Sequence, residues 1–449
     1  MARAPRLDHL REFRWYRRSQ LWVVPSAGAA SALLLAAGSL SLDHHLITDS
    51  APFPVFSGEP DTARTVLSLI ATSIATLTAL VLTIVAVVIQ LATQALSPRA
   101  VRTFLQDAHS HLTIGTFVAT FTYVLAVLQQ LEFVHGDGDD VVTSSSLTIA
   151  FVLAVVSLGM FISYVDHIIH QTRVTSIIDR IGTETRNVVE LEYPPADRAP
   201  EPVTAELPDH GPDHVVRSRR NGVILEIDVP GLMEAIRRSD VLVAVVPAVG
   251  DFIPTGGRLF EVYGQPAPDA ADLLLEFVEI DAERSIMQDV PFGMRLLVDI
   301  AERSLSSGIN DATTATQVVD QLHDLLLMLG TRPFPNGWYA DDAGVPRLHV
   351  PMPSWDLYVA LAFEEIRHHG SATLPVVRRL RTAVEDLLRE LPPGRHPALR
   401  RQIRLLDEAT ERAFHTDAER EAARHPDAQG IGSGEGFRPT EGDGADRAT

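Results

Sequence analysis

Four long apolar stretches constrain what this chain can fold into. They run through residues 21–42, 65–96, 112–131 and about 146–169, and the second holds 32 residues in a row without a charge. A helix of about 20 residues crosses a hydrocarbon layer roughly 30 Å thick, and it satisfies its own backbone groups while doing so. The stretches therefore predict a domain of four transmembrane helices over residues 21–170.

The arginines indicate how these helices are oriented. They concentrate before the first stretch, between the second and the third, and after the fourth, whereas the other two loops are acidic and hold one arginine, Arg64. Positively charged segments stay on the cytoplasmic side, so we expect both termini in the cytoplasm. The arginines that carry this argument are Arg3, Arg6, Arg11, Arg14, Arg17, Arg18, Arg99, Arg102, Arg173, Arg180 and Arg186.

Composition excludes several classes of protein. The net charge of −20 would repel a phosphate backbone, so we expect no nucleic-acid partner. The sequence contains no cysteine and no lysine, which excludes thiolate metal sites, cysteine nucleophiles and the lysine of a P-loop. It also lacks the HExxH and GxSxG motifs. We therefore expect no enzymatic activity, no cofactor and no metal site.

Hydroxyl and amide side chains recur along the second stretch at steps of four or seven residues, which places them on one helix face. The third stretch repeats the pattern more weakly. One interpretation is helix packing, since small and hydroxylated residues let helices approach in lipid. The other is a water-filled path at the axis of a homo-oligomer, and the absence of deep charges favours passive conduction over coupled transport. The residues are Thr72, Thr76, Thr83, Gln90 and Gln94, then Thr116 and Thr120.

A titratable pair lies at the cytoplasmic end of the fourth stretch. Asp166 and His170 are four residues apart and therefore share a helix face. They are interpreted either as an ion pair where the helix leaves the membrane or as a pH-sensitive gate.

The remaining segments predict a cytoplasmic α+β region. It would contain a small β module, indicated by β-branched runs and a Gly-rich turn, and helical hairpins, indicated by amphipathic spacing. The predicted fold class is thus membrane α-helical with a cytoplasmic α+β region. The segments are a basic N-terminus (1–20), a helical exit and Pro-rich linker (171–221), the β module (222–266), a helical domain (267–415) and a disordered tail (416–449).

Four polar residues around one helical hairpin form a candidate ligand site. Gln288 and Asp289 precede a helix predicted from about Phe292, and Asn310 or Asp311 is expected to cap the next helix. If the four converge, backbone amides at a helix N-terminus would be available to an anion. The alternative is a purely structural helix–turn–helix, with Gly308 in the left-handed position after the first helix.

Several motifs resemble one known family. They include SQLWVVPS at the first stretch, the run TIVAVVIQLATQALSPRAVRTFLQD, then GDFIPTGGRL and QDVPFGMRLLVDIAERSLSSGINDATTA. Over roughly residues 15–400 the chain resembles the bacterial predicted membrane proteins of domain-of-unknown-function family 2254. The resemblance implies the architecture and a place in the bacterial inner (plasma) membrane, and it brings no activity with it.

Two functions from different classes follow from these observations. In the first, several copies surround a polar path built by the second and third helices, and the cytoplasmic region regulates it. In the second, the helices only anchor a cytoplasmic sensor or scaffold. The partners expected are a lipid bilayer and further copies of the chain, and the sequence does not identify a ligand.

Overall fold

A computed structural model of the chain describes residues 22–45, 60–95, 108–134, 144–171, 173–237, 241–265 and 270–427. The chain divides into two compact units, residues 1–173 and residues 174–449, which we call unit 1 and unit 2. The basic N-terminus, the side chain of Gln94 and everything after residue 427 lie outside the described residues.

The described part of unit 1 consists of four long helices. They are α1 (Val23–His45), α2 (Pro60–Ala95), α3 (Ala108–Val134) and α4 (Ser144–Gln171). Each contains a segment that is long and apolar enough to cross a membrane, of 19, 30, 22 and 26 residues in chain order. Each apolar stretch of the sequence therefore forms one helix.

Helix α3 packs against each of the other three helices. The hydroxyl of Tyr123 lies 2.9 Å from Oγ of Ser39 on α1 and donates to the carbonyl of Ser146 on α4 at 3.2 Å. The hydroxyls of Thr120 on α3 and Ser157 on α4 are 2.9 Å apart. These side chains are buried, so hydrogen bonds between helices help to set which faces meet.

Helices α1 and α3 approach each other closely where two glycines meet. A Cβ atom built on Gly28 would lie 2.7 Å from the carbonyl oxygen of Gly115, and one built on Gly115 would lie 2.9 Å from Cγ1 of Val24. Backbone cannot move aside as a flexible side chain can. The crossing therefore requires a residue without a side chain at Gly28.

We expect Gly28→Ala to push α1 away from α3 and to destabilise unit 1 by about 1–3 kcal/mol, as overpacking does. The matched control is Gly38→Ala on the same helix, because a Cβ atom there meets nothing within 4 Å. Thermal unfolding of the full chain in detergent micelles measures both variants. Equal unfolding midpoints for the two variants would contradict the close crossing.

Two small sheets form one part of unit 2. The larger contains β1 (His214–Arg217), β3 (Leu242–Val245), β5 (Arg258–Tyr263), β7 (Trp338–Ala340) and β8 (Pro346–His349), in the order β1-β5-β3-β8-β7. All its neighbouring strands are antiparallel except β3 and β8, which are parallel. The smaller contains β2 (Gly222–Ile227), β4 (Phe252–Ile253) and β6 (Val278–Asp281), in the antiparallel order β4-β2-β6.

Both sheets contribute to one apolar core. Ile224 and Ile280 of the smaller sheet and Val243 and Phe260 of the larger sheet belong to it, as do residues of the short helices α6 (Val229–Arg237) and α7 (Ala270–Leu275). The β module therefore extends beyond the predicted residues 222–266. Its additional strands β1, β6, β7 and β8 have three or four residues each, and such strands are stabilised by their partners rather than by a pattern of their own.

Helices form the other part of unit 2. They are α5 (Val174–Glu192), α8 (Val290–Ser304), α9 (Ala312–Gly330), α10 (Trp355–Gly370), α11 (Leu374–Glu390), α12 (His396–Ala413) and α13 (Asp417–Arg424). Helices α8 and α9 form a hairpin, and α5 packs against both with Ile177, Ile181 and Val189 buried. Residues 174–192, assigned above to a helical exit and linker, thus belong to the core of unit 2.

Residues 417–424 of the predicted disordered tail (416–449) form helix α13. Helix α13 starts with a capping box, in which Thr416 accepts from the amide of Glu419 while the Glu419 side chain accepts from the amide of Thr416. Ala423 is fully buried. The guanidinium of Arg378 also donates to the carbonyl of His425 at 2.9 Å. These contacts hold the chain against α11 beyond the predicted boundary.

Candidate functional site

A cleft in unit 2 lies between the end of α5 and the start of α8. Strand β2 and the segment after β8 also line it, as does Tyr339 of β7. Its enclosed volume is about 40 Å³, and the space is about 490 Å³ when the open mouth is included. The polar lining residues are two carboxylates, one amide and three tyrosines, and the other lining residues are valine, isoleucine, proline and Met352. The polar ones are Glu192, Asp289, Gln288, Tyr193, Tyr339 and Tyr358.

The end of α5 brings the first of these side chains to the cleft. Arg332, which follows α9, donates to the carbonyls of Val189 at 3.2 Å and Tyr193 at 2.6 Å. The carbonyl of Val189 also accepts from the amide of Tyr193 at 3.0 Å, so Arg332 is a second donor there, and a cation at the C-terminus of a helix is favourable. This cap holds Glu192 and Tyr193 at the rim of the sheets.

The tyrosines form an aromatic wall. The hydroxyls of Tyr193 and Tyr358 are 2.8 Å apart and both side chains are buried. The ring of Phe334 lies 5.2 Å from Tyr193 and 5.9 Å from Tyr358 between centroids. Burial raises the pKa of Tyr193 to about 12, and it raises the pKa of Tyr358 further. Both phenols are therefore neutral at physiological pH and act as a rigid hydrogen-bonded pair.

Gln288 joins the cleft to the smaller sheet. Its Oε1 accepts from the amide of Ile227 at 2.9 Å, and its Nε2 donates to the carbonyl of the same residue at 3.4 Å. The side chain also lies close enough to the Glu192 carboxylate to lower its pKa. Gln288 therefore lies between Glu192 and the end of β2.

Asp289 caps α8. Its Oδ1 accepts from the amide of Phe292 at 2.8 Å. Its Oδ2 is buried, lies 3.8 Å from Nε of Arg284 and has no hydrogen-bond partner among the described residues. A Cβ atom on Gly250 would collide with this oxygen, and Gly250 has a φ of +89°, a conformation that favours glycine. Burial raises the pKa of Asp289 to about 6, although the Phe292 amide and Arg284 lower it.

Glu192 is the more accessible carboxylate. It is half-buried, and burial raises its pKa above the ordinary value. The hydrogen bond from Gln288 lowers the pKa, and the nearby charge of Glu226 raises it again. A carboxylate in this position is stabilised by any cation that approaches it.

The structure separates the four residues of the predicted ligand site. Gln288 and Asp289 line the cleft, whereas Asn310 and Asp311 are not among its lining residues. Asp311 caps α9 by accepting from the amide of Thr314 at 3.1 Å and from its hydroxyl at 2.6 Å. The left-handed residue of this turn is Asn310, with φ of +50°, and not Gly308.

The expectation of an anion at a helix N-terminus is therefore not supported by this arrangement. At both α8 and α9 a carboxylate of the chain itself occupies the cap. Sequence reasoning also missed Glu192, Tyr193, Tyr339 and Tyr358. Their separation along the chain gives no local pattern, since Tyr193 and Tyr358 are 165 residues apart.

The polar residues of unit 1 divide into two groups. Thr120 is buried and bonds Ser157, whereas Thr116 is only half-buried. On α2, Thr72, Thr76, Thr83 and Gln90 are exposed, on the face opposite to the buried Leu67, Ile74 and Val81. The α2 threonine hydroxyls each donate to a carbonyl of their own helix four residues earlier, at 2.8–2.9 Å. Packing within the bundle thus accounts for Thr120 and not for the α2 residues.

Asp166 and His170 are both exposed on α4. Nδ1 of His170 lies 2.8 Å from the carbonyl oxygen of Asp166 and 3.6 Å from its Oδ1. The pair is therefore a contact along one helix surface. One turn earlier, the rings of His167 and His109 of α3 lie 4.5 Å apart between centroids.

A second carboxylate cluster joins α8 to α10. Arg295 binds Asp299 at 2.6 Å, Glu302 at 3.1 Å and Glu365 of α10. Burial and a hydrogen bond shared with Glu365 raise the pKa of Glu302 to about 7, against the attraction of Arg295. One arginine therefore faces three carboxylates, and the fold favours the protonated form of Glu302.

This cluster predicts a pH-dependent stability. The pKa of Glu302 is about 7 in the folded chain and near the ordinary 4.5 when unfolded, so its contribution is present below pH 4.5 and is lost as pH rises through 7. We expect the unfolding midpoint to fall by a few degrees from pH 5 to pH 8, and Glu302→Gln to reduce this slope. Glu408→Gln, at an exposed site on α12, should retain it. Equal slopes for the two variants would exclude Glu302 as the titrating group.

The chain thus combines four helices that are apolar enough to span a membrane with a folded α+β unit that carries an acidic cleft. A family model described as "Predicted membrane protein (DUF2254)" matches residues 18–386, and the chain belongs to this family. The match confirms the resemblance drawn from the sequence motifs, and its range includes all the residues that line the cleft.

The chain is also similar to two mycobacterial proteins. They are "Uncharacterized protein Mb1321c" of Mycobacterium bovis and "Uncharacterized protein Rv1290c" of Mycobacterium tuberculosis. Each is 29% identical over 416 residues, which cover 90% of this chain and 79% of the relative. No solved structure is significantly similar to the chain.

Proposed function

We propose that this protein is a membrane-anchored sensor, in which unit 1 holds the chain in the bacterial plasma membrane and unit 2 binds a small molecule in its cleft. The observation that carries the proposal is the cleft itself. A buried carboxylate oxygen without a hydrogen-bond partner among the described residues, on Asp289, is costly to maintain. A cleft lined by acids with perturbed pKa values is a functional site more often than other parts of a protein surface are.

The distribution of arginine supports the orientation that this proposal requires. Unit 2 follows α4, and the segment from Arg173 onwards is one of the three arginine-rich segments. Unit 2 would then lie in the cytoplasm, together with both termini. A reporter fused after Thr449 would be active in the cytoplasm, and activity only outside the membrane would contradict the orientation.

The binding function is tested by closing the cleft. The full chain in lipid nanodiscs is mixed with cationic, neutral and anionic single-ring compounds, and bound compounds are detected by saturation-transfer NMR. We expect Val249→Trp, which fills the cleft from one wall, to abolish the binding of at least one compound. Val246→Trp is the matched control, because Val246 is exposed and does not line the cleft.

A second plug guards against a variant that fails to fold. Met352→Trp narrows the same cleft from another segment. Variants that retain the far-UV circular dichroism of the parent chain and lose binding support the proposal. If both plugged chains fold and bind every compound as the parent does, the proposal is wrong.

A second candidate function is an oligomeric polar path through the membrane. The observation in its favour is that the polar face of α2 is exposed and opposite to the packed face. The threonine hydroxyls are satisfied by hydrogen bonds within the helix. Placing the side-chain amide of Gln90 against acyl chains, without a hydrogen-bond partner, would cost several kcal/mol of free energy. Water or another copy of the chain would remove this cost.

This candidate predicts flux. Liposomes that contain the full chain should dissipate a potassium gradient, measured with a potential-sensitive dye, and Thr83→Leu or Gln90→Leu should reduce the rate severalfold. Leu82→Val, at an exposed apolar position beside the polar face, should leave the rate unchanged. A well-folded oligomer without flux would exclude the path.

A further inference from the structure

We propose that the cleft of unit 2 takes a small organic cation, an ammonium group carried on an apolar or aromatic body. This inference rests on the proposed binding function and adds the chemical class of the ligand. It follows from the charge, the position of the acidic side chains and the nature of the remaining walls.

The charges on the cleft are of one sign. Glu192 and Asp289 are its ionisable acids, and neither arginine nor histidine is among the lining residues that the structure describes. Arg284 lies 3.8 Å from Asp289 and does not itself line the cleft. An anion in the cleft would meet two carboxylates and no cation among the described lining residues, whereas a cation would be attracted by both acids, and most by Glu192, which lacks the Arg284 partner of Asp289.

Glu192 is the partner for the positive charge. Oδ1 of Asp289 is already engaged by the amide of Phe292, and its Oδ2 faces Arg284. No cation is among the described residues that line the cleft beside Glu192, and the side chain of Gln288 lies close to this carboxylate. The negative charge of Glu226 also raises the pKa of Glu192. An ammonium group next to Glu192 would therefore relieve both the burial and the repulsion of this carboxylate.

The walls indicate an organic rather than an inorganic cation. Among the described residues, no three His, Asp or Glu side chains are grouped so that they could hold a metal ion. The walls around the acids are instead tyrosine rings, prolines and valines. Tyr339 is half-buried at the cleft, and an aromatic face attracts ammonium groups. The enclosed part of the cleft holds about 40 Å³, which suits an ammonium group. The apolar body would then lie in the open mouth of the cleft, against these walls.

Three probes that share a phenyl ring and differ in the charge of their polar group test the inference. Phenethylamine is cationic, 2-phenylethanol is neutral and phenylacetate is anionic at pH 7, and all three carry the same ring. With the full chain in nanodiscs, we expect phenethylamine to bind at least tenfold more tightly than the alcohol and phenylacetate to bind most weakly. The preference should disappear in the Val249→Trp chain.

Substitutions then assign the charge partner. Glu192→Gln should weaken phenethylamine binding about tenfold, because the buried charge pair is lost, and should leave 2-phenylethanol binding unchanged. Glu201→Gln removes one charge at an exposed position outside the cleft and should change neither affinity. If Glu192→Gln retains the full preference for the cation, the assignment is wrong.

The outcomes separate this inference from the proposal on which it rests. If the neutral or anionic probe binds as tightly as the amine and its binding is lost when the cleft is plugged, the cation inference fails and the binding function stands. If plugging changes the binding of no compound, both fail. A cation preference that depends on Glu192 and on an open cleft supports both.

Discussion

The geometry of the cleft depends on how α5 ends. A helix terminus leaves carbonyl groups without partners. Here the guanidinium of Arg332 donates to the carbonyl of Tyr193 and adds a second donor to the carbonyl of Val189, which also accepts from the amide of Tyr193. The cap fixes Glu192 and Tyr193, and Tyr193 in turn is bonded to Tyr358 of α10. Residues from distant parts of the chain thereby reach one place. These Arg332 contacts therefore help to fix the position of Glu192 relative to the Tyr193–Tyr358 pair.

Unit 1 uses hydroxyl groups in two physically different ways. On α3, the hydroxyls of Thr120 and Tyr123 face inward and bond neighbouring helices, which replaces the hydration that they would have in water. On α2, the hydroxyls are turned to their own helix backbone and face outward. The first arrangement explains how the bundle is held together. The second leaves a surface whose surroundings decide between an anchor and an oligomeric path.

The helices of unit 1 could be predicted because their signal is local. An uninterrupted apolar run of about 20 residues has one stable form in hydrocarbon, and this holds whatever surrounds it. The caps of α8 and α9 also have a local cause, and Asp311 was expected at its helix start for that reason. The capping box of Thr416 and Glu419 is equally local. It was overlooked because the surrounding composition suggested disorder.

The rest of the site could not be predicted because its causes are not local. Strands β7 and β8 consist of three and four residues, and β8 is held by a parallel contact to β3, about a hundred residues earlier in the chain. Gln288 and Asp289 were expected at a ligand site, but their partners Ile227, Arg284 and Gly250 are set by tertiary packing. The cleft is acidic partly because Glu192 lines it, and no sequence motif sets Glu192 apart from the other glutamates of the chain.

Gln288 has one further consequence. Its side chain bonds the backbone of Ile227 and lies close enough to Glu192 to lower the pKa of that acid, so one amide group acts on both. A ligand that moves the Glu192 carboxylate would change the hydrogen bonds between Gln288 and Ile227, the last residue of β2. Occupancy of the cleft would therefore be transmitted to the smaller sheet as a change in backbone bonding, over a distance of one side chain.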